Sequence, residues 1–311
     1  MSSPFTANYK EKIFARDKAF WDNYLKGRPQ APESFFDRIF TYHQEHNGAF
    51  GTVHDVGAGN GPYAQKLRFR FQNVVVSDIV AENVQLAEER LGNDGFKYRA
   101  AKVEDADDIP AGSIDMVFAT NVLHFPDQQV STKAIAGQLK SGGTFVCAGF
   151  GPATFDEPQV QDLWASILHQ GGRVILKKAD KLEQTIAVMA RSQGEYNVAP
   201  LAEKRFVLGV KRIHLNMEKG GLTGLLPPEY SDKAREPFHT GENDDVTFES
   251  EEGWSFNADL SWIKEHFNSF PFAVMEPGAF TELWQELETL LQNGRTVKGR
   301  FPAKIILATR R

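Results

Sequence analysis

The residues best suited to chemistry lie between Thr52 and Tyr63, in the run Thr-Val-His-Asp-Val-Gly-Ala-Gly-Asn-Gly-Pro-Tyr. Glycines stand at 57, 59 and 61, directly after a short apolar stretch, Val53 to Val56. Glycine admits positive φ and lets a ligand approach the backbone closely. Pro62 then suits the first turn of a helix, where a missing N–H costs little. A strand, a glycine turn and a helix N-terminus together form a nucleotide-type binding corner. A dinucleotide fingerprint, G-x-G-x-x-G, would place its third glycine at 62, where this chain has proline. Two acids accompany the turn. Asp55 precedes Gly57 by two residues, and Asp78 follows it by 21, ending the apolar run Asn73-Val-Val-Val-Ser-Asp. A carboxylate about 20 residues beyond the glycines suits ribose hydroxyls; the competing role is to cap the next helix. His124, in Thr-Asn-Val-Leu-His, supplies an imidazole within the same stretch of chain.

These groups need a scaffold, and residues 52–150 predict one. Strands are expected at 52–56, 73–77, 95–100, 114–119 and 143–148. Helices are expected at 62–70, 81–91 and 127–139, with helix or loop at 103–109. Alternation of strand and helix implies a parallel sheet covered on both faces. Right-handed crossovers bring the glycine turn, Asp78 and the ends of the third and fourth strands to its carboxyl edge. The fold class is therefore α/β, a Rossmann-like doubly wound sheet.

The flanks read differently. Residues 8–26 are amphipathic and aromatic (Tyr9, Ile13, Phe14, Phe20, Trp21, Tyr24, Leu25), giving one or two helices, and a further helix is expected from Glu33 to His46. Beyond Phe150, helical stretches are expected at 160–168 and 178–191, a strand at 203–217, helices at 254–268 and 278–292, and a closing strand at 301–309. The region 218–250, with an acidic run from Glu242 to Glu252, reads as a long irregular loop that orders over a ligand. The division is a 1–50 helical cap, a 51–150 core, a 151–294 insertion carrying one late core strand, and a 295–311 C-terminal strand.

Composition narrows the partners. The 311 residues carry a net charge of −6 with 41% hydrophobic and 24% charged residues, as in a globular protein with a sizeable core. An acidic balance argues against nucleic acid. No apolar run approaches the ~18 residues of a membrane span, and the N-terminus lacks a signal-peptide pattern. The single cysteine, Cys147, reads as a small core residue. A cytoplasmic monomer or homodimer is expected, with no metal, since no carboxylate–histidine set has ligand spacing.

The pattern D-x-G-x-G-x-G resembles motif I of the class I S-adenosylmethionine (SAM) methyltransferases. Asp78, the stretch Ser113 to Phe125, and Leu139-Lys-Ser-Gly-Gly-Thr-Phe-Val-Cys-Ala resemble later landmarks of that family, in order, within about 100 residues. Tyr24-x3-Arg28-Pro29-x2-Pro32-x3-Phe36 resembles the cap segment of fungal trans-aconitate methyltransferase-like proteins, which folds over the SAM pocket. The resemblance implies SAM as cofactor, a sheet with an antiparallel last strand, and a small-molecule acceptor, with secondary metabolism as the setting. It implies cofactor contacts at Tyr24, Arg28, Asp55 (the amino group), Gly57, Gly59, Gly61, Asp78 with Ile79 beside it, Val103, Glu104 and Asn121. Lys102 stands where the family often has its adenine-reading acid, which leaves that contact open.

The implied reaction is an in-line displacement at a sulfonium methyl, for which proximity and alignment are the main needs. A carboxylate acceptor needs no base near pH 7, whereas a hydroxyl would, and His124 is the candidate; its alternative role is a pocket wall. O-methylation leads, with S- or N-methylation and a SAM-binding fold without methyl transfer (pericyclase-like or an interaction protein) as alternatives. Trp164, His169, Tyr196, Tyr230, Trp254 and Trp262 are candidates for the acceptor pocket, each more readily explained as core. Arg173, Arg191, Arg205 and Arg212 could grip a carboxylate.

Overall fold

The computed structural model describes residues 18–217, 221–222, 224–233 and 239–311. Tyr9, Ile13 and Phe14, with parts of the 218–250 region, lie outside the described residues.

Alternating apolar runs become a central sheet. Its strands are β1 (Thr52–Val56), β2 (Asn73–Asp78), β3 (Phe96–Ala100), β4 (Ile114–Thr120), β5 (Leu139–Phe150), β7 (Lys211–Leu215), β8 (Asp245–Glu249) and β11 (Ala303–Thr309), in the order β3-β2-β1-β4-β5-β11-β7-β8. Only β11 runs against its neighbours; every other pairing is parallel. β4 is buried along its whole length, as a parallel strand covered on both faces must be. Its side chains alternate: Met116 and Phe118 enter one apolar cluster, Val117 and Ala119 the other.

Helices α3 (Ala64–Arg68), α4 (Ala81–Leu91) and α5 (Gln128–Gln138) connect the first five strands. Before them, α1 (Lys18–Gly27) packs on α8 (Leu260–Asn268), and α2 (Glu33–Glu45) buries Phe35, Phe36, Ile39 and Phe40. The later half adds α6 (Pro158–Lys177), α7 (Leu182–Arg191) and α9 (Thr281–Leu290). It also holds a small antiparallel sheet in which β10 (Val297–Arg300) lies between β6 (Thr154–Phe155) and β9 (Ser255–Ala258).

Several expectations for that later half need correction. The predicted 203–217 strand contracts to β7, because the run breaks at Gly209, whose φ is +83°. The acidic loop contains a 3-10 turn, Pro228–Lys233, and β8, where Val246 and Phe248 alternate with polar residues on an exposed sheet edge. The helix expected at 254–268 begins only at Leu260, where Asp259 caps it by accepting from Trp262 N at 2.8 Å; residues before the cap are strand β9. The helix expected to end near 168 continues through Gly171 and Gly172, where the Phe272 ring and the Leu225 carbonyl leave no room for a Cβ.

Candidate functional site

β1 delivers its chain into the glycine turn at the carboxyl edge of the sheet. Gly57, Gly59 and Gly61 have φ of +62°, +56° and +73°, a conformation that other L-residues adopt at a cost. A Cβ on Gly57 would strike Val122 beyond β4, and one on Gly59 would strike the indole of Trp21 from the cap. The turn is fixed from two sides. Ala58 N donates to Ser77 O at 2.9 Å, and the Arg90 guanidinium on α4 donates to the carbonyls of Asn60, at 2.9 Å, and Gly61.

Asp78 ends β2 against this turn. Its Oδ2 accepts from Gly59 N at 2.8 Å, and its Oδ1 accepts from Val80 N at 2.9 Å and Asn83 Nδ2 at 3.4 Å. It thus ties the turn to the start of α4. Burial raises its pKa, opposed by these donors. Trp21 Nε1 donates to Asn83 Oδ1 at 2.9 Å, so the cap grips the same cluster. Ile79 is 44% exposed on the rim. Val103 and Glu104 follow β3, whose last residue, Ala100, is in register with Asp78; Val103 is buried with Val56 and Leu123, and Glu104 is partly exposed.

The electrostatics centre on Asp55. It is 2% exposed, and its Oδ2 has no hydrogen-bond partner. Burial, reinforced by Asp78 and opposed by Arg90, pushes its pKa up to about 8. Arg28 is the cap's contribution to this corner. Its guanidinium lies 4.0 Å from the Phe270 ring centroid and 5.1 Å from that of Tyr24, and donates to Ser269 O at 3.4 Å. Its Nε lacks a partner, and among the described residues no carboxylate pairs with it. Burial lowers its pKa. The Tyr63 phenol feels both Arg28 and Asp55, and burial drives its pKa upward. Tyr24, Arg28, Phe36, Pro62 and Tyr63 line a cavity of about 190 Å³. The corner therefore offers a buried carboxylate oxygen and a buried guanidinium N–H, both unpartnered, which fits the ammonium and carboxylate of an amino-acid moiety.

Asn121, also at positive φ (+53°), turns its side chain to β5, accepting from Phe150 N at 2.8 Å. His124 is 8% exposed; its Nδ1 lies 3.1 Å from Tyr196 Oη, and its carbonyl accepts from Arg191 Nε at 2.9 Å. Tyr196 is thus brought to His124. Trp164 and Trp254 are buried in the main core, and Trp262 stacks on Phe256 at 4.2 Å. Arg173 pairs with Glu229 at 2.8 Å on the surface, and Arg212 pairs with Asp244 at 2.6 Å in the interior. Trp21, Tyr63, Asn83 and Arg90 escaped the sequence reading as site residues. Tyr63 alone carried a local signal, its place two residues after Gly61. Among the described residues, no cluster of His, Cys, Asp or Glu is arranged for a metal ion, and no helix is long and apolar enough to cross a membrane.

Known proteins resemble this chain in sequence and in fold. A family model described as a methyltransferase domain matches residues 54–147. The chain is 59% identical over 302 residues to methyltransferase tpcM of Aspergillus fumigatus, covering 97% of this chain and 95% of that one. It is 60% identical over 301 residues to methyltransferase AacuQ of Aspergillus aculeatus, covering 97% and 96% respectively. A solved structure described as a type II methyltransferase from Anaeromyxobacter dehalogenans superposes with a TM-score of 0.57 at 15% identity, over 90% of this chain and 97% of that one, which shows the fold. At such identity over nearly its whole length, the chain belongs to this family of fungal class I methyltransferases, enzymes that use S-adenosylmethionine as methyl donor.

Proposed function

We propose that the chain methylates an oxygen of a small organic acid of secondary metabolism, with a carboxylate as acceptor. The observation carrying the cofactor half of this reading is the pair of buried, unpartnered atoms Asp55 Oδ2 and Arg28 Nε, on two side chains that both act on Tyr63. Asp55 takes the ammonium of the cofactor's methionine end and Arg28 its carboxylate, each as a charge-assisted hydrogen bond. Gly57 and Gly59 give that end close access to the backbone, and Asp78 holds the ribose hydroxyls. Val103 and Glu104 lie on the adenine side, and Ile79 covers the rim. The bound cofactor supplies a sulfonium methyl, an electrophile with a good leaving group.

The protein's share is then placement and exclusion of water. Trp21 and Tyr24 on α1 cover the corner, and a dry pocket strengthens the interactions inside it. The Trp21 indole rests directly against Gly59. A carboxylate acceptor brings its own lone pair and needs no proton removed near neutral pH. Incubating the protein with methyl-labelled SAM and a metabolite extract tests the reading. Label in a small acid as a base-labile ester supports it. Label in nucleic acid, or SAM binding with no label transferred, contradicts it.

A further inference from the structure

Arg28 lines the cavity of the corner with its Nε buried and unpartnered, and the end of α8 is what holds it there. Its backbone is fixed from both sides. Arg28 directly follows α1, and the last carbonyls of a helix have no partner within the helix. It directly precedes Pro29, whose ring pushes the residue before it toward extended backbone. The Gly27 carbonyl is one of those orphans, and His266 on α8 takes it, with Nδ1 2.5 Å from the oxygen. The two helix ends can approach because Gly27 has no side chain; a Cβ there would strike the Glu265 carbonyl. The guanidinium is held by the same element: it lies over the Phe270 ring and donates to Ser269 O. Ser269 in turn donates from its N–H to His266 O at 3.1 Å. Peptide and guanidinium of Arg28 are thus both seated on residues 266–270.

The ring of His266 is settled by its two partners. It is fully buried, and each nitrogen meets a backbone group. Gly27 O can only accept, so Nδ1 carries the proton; Ala153 N can only donate, and it donates to Nε2 at 3.1 Å. Burial, with Arg28 nearby, lowers the pKa to about 3 from 6.5, which keeps the ring neutral. Trp164, Trp262, Phe270 and Phe301 surround it at centroid distances of 5.1–5.4 Å. Ala153 lies just beyond β5, so one imidazole joins α1, α8 and the chain leaving the carboxyl edge of the sheet.

We propose that His266 is a positioning residue for cofactor binding: by holding the Gly27 carbonyl it seats Arg28, and so aims the free Nε of the guanidinium into the cavity. This rests on the reading of Arg28 as the group that takes the cofactor's carboxylate.

Two measurements on the full chain test it. Long-range proton–nitrogen correlation spectra of protein labelled at histidine nitrogen read the ring without any ligand, with His266 assigned by its loss in His266→Asn. An Nδ1–H pattern is expected from pH 6 to pH 8. An Nε2–H pattern, which leaves Gly27 O without its donor, overturns the proposal, and this test stands even where a variant fails to fold. Calorimetric titration with SAM reads the seat. An asparagine amide reaches the place of Nδ1 and can still donate to Gly27 O; glutamine reaches the place of Nε2 and serves Ala153 N instead. Each variant leaves one buried backbone group unpaired, so a purely structural His266 makes the two alike in Tm and in affinity. The positioning role splits them: similar losses of Tm, with His266→Asn within about threefold of wild-type affinity and His266→Gln about tenfold weaker. In an Arg28→Met background the glutamine effect is expected to vanish, because residues that act through one another are not additive. Equal affinities in the two His266 variants, or a glutamine effect that persists in full without Arg28, overturns the proposal and leaves the role of Arg28 standing. Wild-type affinity in Arg28→Met overturns the reading of Arg28 and this proposal with it.

Discussion

Two regions of the molecule bury ionisable groups, and they handle them in opposite ways. In the corner around the glycine turn, Asp55 Oδ2 and Arg28 Nε are enclosed and left without hydrogen-bond partners. On the far strands, Arg212 is only 1% exposed and fully engaged: it donates to Asp244 at 2.6 Å, to His239 O at 2.6 Å and to Asn197 Oδ1 at 3.3 Å. Lys304 on β11 meets His214 on β7, its register partner. Charge buried without an internal partner costs stability. On the proposed reading the corner keeps that cost for a ligand to relieve, whereas Arg212 meets it internally by joining β7 to the segment around Asp244.

The comparison can be broken most severely at Gly59. Gly59→Leu places a side chain at φ +56° in the space of the Trp21 indole. SAM binding is expected to fall by more than about 10³-fold in calorimetry, while far-ultraviolet circular dichroism retains the sheet–helix signature. The left-handed conformation itself costs about 1–2 kcal/mol, within reach of a folded protein.

Arg28→Met asks whether the cap charge belongs to the ligand. Loss of a hydrogen bond to a charged group, about 1.5–3 kcal/mol, predicts SAM affinity about 10- to 100-fold weaker. Thermal stability without ligand is expected to hold or rise, because an unpaired buried charge is removed. A protein that loses stability and keeps its affinity would assign Arg28 to the fold.

Lys304 sharpens the other side and gives the smallest effect. Burial, with Arg212 nearby, lowers its pKa to about 7 from 10.5. Between these values the unfolded chain binds more protons than the folded one, so stability rises with pH from about 7 to about 10. Lys304→Met is therefore expected to raise Tm at pH 6, by about 2–4 °C for each kcal/mol recovered, and to raise it less at pH 10. Cofactor affinity should not change. Thermal unfolding at both pH values checks this.

The difference between the regions also explains what could be read from the sequence. The corner is encoded locally: Asp55, the three glycines and Asp78 lie within 24 residues, and their types and spacing carry the chemistry. The first helix was legible in the amphipathic, aromatic run that ends at Leu25. Contacts between distant parts of the chain were not. Trp21 reaches Gly59 and Asn83 only because α1 folds across the sheet edge. Tyr196 stood among six aromatics with nothing in the sequence to pair it with His124, 72 positions away. Arg212 read as a candidate carboxylate grip because its partner, Asp244, sat in an apparently irregular acidic run. That run hides β8, whose alternation is carried by two apolar residues, Val246 and Phe248. In the later half, a cap at Asp259 and a positive φ at Gly209 decided element boundaries that apolar periodicity alone extended too far.

On the proposed reading, Asp55 stays uncharged and unpartnered until the cofactor's ammonium arrives. Its pKa of about 8, against 3.8 ordinarily, means that the folded chain without ligand binds more protons than the unfolded chain between these values, and stability falls as pH rises through that window. Binding an ammonium there requires the carboxylate, so the cofactor must drive a proton off. Calorimetric titration of the wild type and Asp55→Asn with SAM, from pH 6 to pH 8 in buffers of different ionisation enthalpy, measures this directly. The expected result is wild-type affinity that climbs with pH and release of up to one proton at pH 6, with Asp55→Asn binding about 10- to 100-fold more weakly than the wild type at pH 8, releasing no proton and showing a flat profile over the same range. Equal affinities for the two proteins at pH 8, or wild-type binding with no proton release at pH 6, would contradict this reading.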